Sequence, residues 1–300
     1  MPKPAIAVFA FALLLVATLS ACSPLSLVNA VSPNGEARAT TALRYAPGER
    51  RLLDIYRPAH ANTNAPVIVF LYGGNWVSGA RQDYAFVGQA LAARGFVVVI
   101  PDYRLYPEVR YPDFLDDSAQ AVAWTRREIA AHGGDPAKIF LMGHSAGAYN
   151  AAMLALDERW LGKQGSRPDA LRGWIGLAGP YDFLPVENRT TRPVFRYPDT
   201  PASSQPVNHV TAAAPPALLI AANSDSLVNP VRNTGGLAAR LRSARVPVQE
   251  LYYDGVSHTT LVASLSTSLE RLAPTLDAVE AFVRSDGGRQ AASAPEPVGR

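Results

Sequence analysis

Leu141-Met142-Gly143-His144-Ser145-Ala146-Gly147, residues 141–147, places a glycine two positions on either side of a serine, between an apolar run and an alanine-rich stretch. At ordinary glycine and serine usage, roughly 0.1 such G-x-S-x-G pentapeptides arise by chance in 300 residues. The surroundings carry more weight than the pattern. Ile139 to Met142 reads as a buried strand and 146–157 as a helix, so the serine falls on a sharp strand-to-helix turn. Such a turn needs small neighbours if the serine Oγ is to stand clear at the end of the sheet, and the helix N-terminus behind it favours nearby negative charge.

Outward from this stretch, the same alternation repeats. Val67–Leu71, Val97–Ile100, Ile139–Met142, Trp174–Leu177 and Ala217–Ile220 are short continuous apolar runs, the mark of strands buried on both faces, and a final strand is expected at 247–253. Helical patterns occupy 82–94, 114–131, 146–157 and 231–243; a longer one over 261–283 is predicted to split at Pro274. Strand and helix in alternation imply an α/β domain with a mostly parallel sheet and helices on both faces, its ligands at the carboxyl ends of the strands. The proline-rich segment 183–214 breaks the alternation and is expected to form a loop-rich cap or pocket wall over those ends.

The two ends read differently. Lys3 followed by an apolar segment from about Ala5 to Leu19 has the length of an export leader rather than a membrane span. Leu19-Ser20-Ala21-Cys22 ends it and resembles a bacterial lipobox, which predicts cleavage of 1–21 and acylation of Cys22, the single cysteine of the chain. An ordinary leader with an incidental thiol is the alternative. Ser23 after the cysteine implies, by the same resemblance, an exported lipoprotein of the outer membrane, facing the periplasm or the cell surface. Residues 22–40 are then a tether, 41–284 one catalytic domain, and 285–300 a flexible tail. With 48% hydrophobic residues the chain can bury a sizeable core. A formal charge of +3 without runs of like charge excludes a nucleic-acid stripe or a polybasic membrane patch.

A serine hydroxyl needs a base, and the usual base is a histidine oriented by a carboxylate. In a sheet of this kind the acid and then the histidine follow the serine. Of five histidines, His60 and His132 precede Ser145, His144 abuts it and His209 lies in the proline-rich segment, which leaves His258. Asp225 follows the next-to-last strand and is the favoured carboxylate; Asp254 and Asp182 compete. The loop after the first apolar run, Tyr72-Gly73-Gly74-Asn75-Trp76, can aim backbone N–H groups at an oxyanion, with Gly74 and Asn75 as donors beside the N–H of Ala146. A plain turn is the alternative there.

These residues identify a family. Y-G-G-N-W at 72–76, P-D-Y-R-L at 101–105, G-G-D-P-A-K-I-F-L-M-G-H-S-A-G at 133–147 and the Asp225/His258 pair resemble the α/β-hydrolase carboxylesterases, the hormone-sensitive-lipase-like and isoprenylcysteine-methylesterase-like branch, over about 52–284. The resemblance implies the α/β-hydrolase fold and an acyl-enzyme mechanism with no cofactor and no metal. It also implies structural roles for Arg104, Asp116, Asp117 and Asp135. Tyr72 departs from the pattern, since lipase-like members carry histidine there, so the bonds that hold the loop must differ. Tyr72, Trp76 and His144 are further candidates for the substrate pocket.

The expected activity is hydrolysis of short to medium acyl esters, with a small-molecule ester as partner. An amidase or formamidase, a carbohydrate deacetylase, and a non-catalytic binding lipoprotein of the same fold are the other readings. Membrane contact is expected through the lipid anchor alone. The oligomeric state is not legible.

Overall fold

A single sheet of eight strands runs through the molecule in the order β1 (Arg38–Arg44), β2 (Leu52–Arg57), β4 (Val97–Pro101), β3 (Ala65–Leu71), β5 (Gly134–His144), β6 (Gly173–Leu177), β7 (Ala217–Ala222) and β8 (Val248–Tyr253). The computed structural model describes residues 24–32, 37–60 and 64–288. The leader 1–21, the lipidation candidate Cys22 and residues 289–300 of the expected tail therefore lie outside the described residues. β1 and β2, and β2 and β4, pair antiparallel, while every pairing from β4 through β3 to β8 is parallel. The five apolar runs fall on β3 to β7. These strands read as continuous rather than alternating hydrophobic sequence because both faces are covered, and β4, β6 and β7 are buried at every residue.

The covering helices are α2 (Ala85–Ala93), α3 (Asp113–Glu128), α4 (Ala146–Leu156), the short α5 (Glu158–Gly162), α6 (Gly236–Ser243), α7 (His258–Ala263) and α8 (Thr275–Arg284), with α1 (Pro24–Val31) ahead of the sheet. α3 carries Asp113 and Asp116 in its first turn and Arg126 and Arg127 in its last, which complements the helix dipole at both ends. α4 is buried on all sides, and its run of alanines lets it lie close against the sheet.

Three helical expectations shift at their ends. The first turn of 82–94 is a tight turn at Arg81–Tyr84, where Asp83 accepts from the N–H of Ala80 (3.0 Å). The start of 231–243 is a wide turn, Val231–Gly235, behind Pro230, and regular helix begins only at Gly236. Over 261–283, α7 already ends at Ala263 and α8 starts immediately after Pro274, where the missing N–H costs nothing.

β1 and β2 went unread in the sequence because arginines flank β1 and Asp54 interrupts β2. Residues 22–40, expected as a tether, instead contain α1 and the start of β1. Leu25 and Val28, three apart on one helical face, pack against the core, which docks the segment. The start of the expected tail is likewise held. Asp286 takes an ion pair from Arg172 (Nε–Oδ1 2.6 Å), and the Gly287 N–H caps α8 by donating to the Phe282 carbonyl at 2.9 Å.

One buried carboxylate ties several of these pieces together. Asp117, fully buried on α3, accepts from Arg104 Nε (2.8 Å) and Nη2 (2.9 Å), from the Arg104 N–H (3.0 Å), and from Arg51 Nη2 (2.9 Å). Arg104 and Asp117 thus act structurally, as the resemblance implied, and Asp116 and Asp135 bond at the surface to Lys163 and to the Ala137 N–H. Removing the carboxylate leaves two guanidinium groups without their anion, although both keep some contact with water. Asp117→Ala is therefore expected to cost about 3 kcal/mol, the low end of the range for a buried pair. The measurement is a urea titration, and an unchanged midpoint would remove this network from the account of stability.

Candidate active site

Ser145 sits where β5 meets α4, with φ 54° and ψ −121°. A non-glycine residue in that region carries strain of about 1–3 kcal/mol, and the surroundings must hold it there. They do so through the backbone. The Ser145 N–H donates to the Leu177 carbonyl on β6 (2.9 Å), and the Ser145 carbonyl accepts the first bond of α4 from Tyr149 (3.1 Å). The flanking glycines are sterically required: a Cβ on Gly143 would lie 2.2 Å from the Gly147 oxygen, and one on Gly147 would lie 1.9 Å from the Leu71 oxygen. Ser145 makes no side-chain hydrogen bond among the described residues and faces a cavity.

His258 lies on that cavity as the first residue of α7, whose start is capped by Ser257 and Thr260 (Ser257 N–H to Thr260 Oγ1 2.7 Å). Its Nδ1–H donates to Asp225 Oδ2 at 2.7 Å, and the other Asp225 oxygen accepts from the N–H groups of Leu227 (2.8 Å) and Val228 (3.0 Å). Burial works to raise the Asp225 pKa, but the bond and charge of His258 and the two amides outweigh it, and the carboxyl ends below its ordinary value. The carboxylate competition resolves on geometry. Asp254 bonds the Asn223 amide (2.8 Å) in an exposed position, and Asp182 pairs with Arg232 (3.1 Å) at the cavity rim. Only Asp225 meets His258.

Gly74 (φ 134°), Asn75 (φ 53°) and Trp76 (φ 59°) wind the loop after β3 past the serine. A Cβ on Gly73 would press on Ser145 Cβ at 3.0 Å, and one on Gly74 would collide with the Ser78 carbonyl at 2.2 Å, so Gly74 must be glycine and Gly73 leaves little room for anything larger. The Gly73 N–H is occupied by the Tyr84 hydroxyl (3.2 Å). The N–H groups of Gly74, Asn75 and Ala146 have no acceptor among the described residues, and all three residues line the cavity. This arrangement can present several amides to one oxyanion.

Tyr72 does not line the cavity, contrary to the expectation for it. Its ring is fully buried, stacked between Tyr103 (4.7 Å between centroids) and Tyr84 (5.8 Å), and points back under the loop. Burial first, and then the Asp102 charge, push the phenol well above its ordinary pKa, so a neutral O–H donates to Asp102 Oδ1 (2.9 Å) and accepts from Arg50 (2.9 Å). Asp102 in turn takes the Arg81 N–H (2.9 Å) and the Arg81 guanidinium. These bonds are how this chain holds the loop without the usual histidine. Trp76 borders the cavity but is chiefly a packing residue, with Nε1–H on Asn150 (2.9 Å) and its ring against Phe114, Tyr149 and Phe195.

The cavity has a volume of about 490 Å³. The front of the 183–214 segment walls it through Phe183, Val186 and Thr191, while the rest of that segment is pinned to the core. Phe195 packs on Trp76, and the Phe183 N–H donates to Gln205 Oε1 (2.7 Å). Leu227 and Leu25 also line it, and sequence reasoning missed both, since neither carries chemistry and no periodicity marks them. Among the described residues no group of three or more His, Cys, Asp or Glu is placed to hold a metal ion, and no helix is long and apolar enough to cross a membrane.

His144 is a buried residue that lines the cavity. Its Nε2–H donates to the main-chain carbonyl of His258 (3.0 Å), which leaves Nδ1 a buried acceptor without a partner among the described residues. Burial, and then the nearby His258, lower its pKa to about 3. Below the unfolded value of roughly 6.5, the unfolded chain binds a proton that the folded chain refuses, so stability falls as pH drops through this window. Between pH 7 and 5 that one group accounts for about 2 kcal/mol. His144→Gln is expected to flatten the pH dependence of unfolding by that amount, read by urea titration at both pH values; equal slopes in the two proteins would contradict it.

The sequence and the fold have known relatives. The BD-FAE family model matches residues 53–241. Esterase LipC of Mycobacterium tuberculosis is 32% identical over 238 residues, covering 71% of this chain and 58% of that protein. Isoprenylcysteine alpha-carbonyl methylesterase ICME of Arabidopsis thaliana is 27% identical over 238 residues, covering 72% of this chain and 56% of that protein. The chain spans about half the length of the curated relatives it matches. Among solved structures, esterase B from Lactobacillus rhamnosis superposes with a TM-score of 0.76 over 96% of this chain and 97% of that one, at 17% identity, a likeness of fold. With a family match that runs from β2 through α6 and takes in both the serine turn and the Asp225 carboxylate, the chain belongs to the BD-FAE family and has the α/β-hydrolase fold.

Proposed function

We propose that the protein is a serine carboxylesterase of short to medium acyl esters. Ser145 attacks the ester carbonyl, His258 takes the serine proton and delivers it to the departing alcohol, and water then releases the acid from the acyl-enzyme by the same route reversed. Asp225 keeps His258 in the Nδ1–H tautomer and stabilises the imidazolium that forms. The amides of Ala146, Gly74 and Asn75 receive the oxyanion, at about 3–4 kcal/mol for each donor. The observation that carries this reading is the 2.7 Å bond from His258 to Asp225, on the same cavity as a strained, unbonded serine. A non-catalytic binding protein would have no need of the strain at Ser145 or of unsatisfied amides around it.

The substrate class is argued from the walls. Phe183, Val186, Leu227 and Trp76 offer apolar surface, and a space of about 490 Å³ suits a compact ester rather than a long acyl chain. Similarity to esterases supports ester over amide cleavage. For location, the lipobox-like LSAC ending at Cys22 supports an exported lipoprotein of the outer membrane that faces the periplasm or the cell surface.

Hydrolysis of p-nitrophenyl esters from acetyl to palmitoyl tests the activity. The expected profile peaks at short chains. Ser145→Ala is expected to lower kcat by about 10⁶-fold and Asp225→Asn by about 10⁴-fold, since the latter stabilises the wrong tautomer of His258. Folded protein that cleaves no ester, or a Ser145→Ala variant that keeps full activity, would overturn the reading.

A further inference from the structure

Helix α1 has no place in the machinery described so far, yet it reaches that machinery. Leu25, in its first turn, is 8% exposed and lines the same cavity as Ser145 and His258. An eight-residue helix is marginal by itself in water, so its position must come from tertiary contacts. Two clamps supply them. At the first, Asn29 Nδ2 donates to the Gln82 carbonyl (2.8 Å) and Asn29 Oδ1 accepts from the Phe86 N–H (2.8 Å). Those partners flank Tyr84, whose hydroxyl holds the Gly73 N–H of the oxyanion loop. At the second, the Ser32 and buried Ser266 hydroxyls lie 2.6 Å apart, and Ser268 Oγ donates to the Val31 carbonyl (2.9 Å). Ser266 and Ser268 follow α7, the helix that begins with His258. The helix is therefore fastened both to the segment behind the oxyanion loop and to the segment behind the histidine, and it turns Leu25 toward the space between them.

We propose that α1 is a wall of the substrate pocket and that Leu25 sets the length of acyl group the pocket accepts. The proposal rests on the esterase reading. An isobutyl group at a cavity wall displaces about as much volume as three or four carbons of a substrate chain, and each methylene in an apolar pocket is worth roughly 10-fold or more in kcat/KM. Leu27, two residues on, is 57% exposed and does not line the cavity.

The test measures kcat/KM of the full-length chain, purified in detergent, against p-nitrophenyl esters from acetyl to palmitoyl. Leu25→Ala is expected to move the optimum about two to four carbons longer. Leu25→Trp is expected to shorten it and to cut kcat/KM at least 10-fold on the longest ester the wild type accepts, with Leu27→Ala unchanged. Profiles that superimpose for all four proteins would overturn the proposal. A second measurement does not need hydrolysis. The chain has a single cysteine, so Cys22→Ser combined with Leu25→Cys leaves one thiol, at the wall. Butyric and hexanoic acids, the products of such esters, are expected to slow its reaction with a maleimide at least 10-fold. If the wild type cleaves no ester, the esterase reading falls while protection of the thiol still upholds the wall. An unprotected thiol at saturating acid, beside unchanged profiles, removes α1 from the site.

Discussion

The close approach of the α4 N-terminus to the ends of β3 and β5 is the constraint from which the rest of the site follows. A Cβ on Gly147 would lie 1.9 Å from the Leu71 oxygen and 2.5 Å from the Tyr72 oxygen, so only glycine lets the helix begin there. That approach forces Ser145 into its positive φ, brings the helix N-terminus up behind it, and sets Gly73 against the serine Cβ. The elbow and the oxyanion loop are therefore one packing problem rather than two motifs. A change at either glycine pair would disturb both.

Beneath the loop lies a second layer that the reaction would never touch. Tyr72, held between two aromatic rings, passes a hydrogen bond to Asp102, and Asp102 binds the main chain and guanidinium of Arg81. Arg81 also binds Asp54 of β2 (2.8 Å), while Tyr103 Oη donates to the Tyr72 carbonyl (2.7 Å). Buried polar groups are tolerable because nearly every one is paired, and the pairing leaves the loop little freedom. Asp117 does the same for the neighbouring segment through Arg104. Among the described residues the exceptions are the Nδ1 of His144, the Nε of Arg57, the indole N–H groups of Trp160 and Trp174, and the Tyr181 hydroxyl.

Much of this was legible in the chain. The runs at 67–71, 97–100, 139–142, 174–177 and 217–220 are long enough and apolar enough to specify buried parallel strands, and the glycines around Ser145 admit few other backbones. Order along the chain then singled out His258, and the preceding strand end favoured Asp225 while leaving Asp254 and Asp182 in competition. The errors share a physical cause. β1 is the edge strand, largely exposed with an arginine at each end, and Asp54 interrupts the apolar run of the interior strand β2. α1 is too short for its periodicity to show. Tyr72 stands among the pocket candidates in the sequence, but its direction is decided by the two rings that stack on it.

Sequence by itself determined the class of sheet, the strained serine turn, and the residue types capable of acyl transfer, because these rest on local sterics, periodicity and chain order. Tertiary structure alone decided which carboxylate meets His258, which backbone amides stay unpaired, where Tyr72 points, and that Leu25 reaches the cavity. Each of these depends on contacts between segments far apart in the chain, such as Asp225 with His258 or α1 with the residues after α7. No local pattern encodes them.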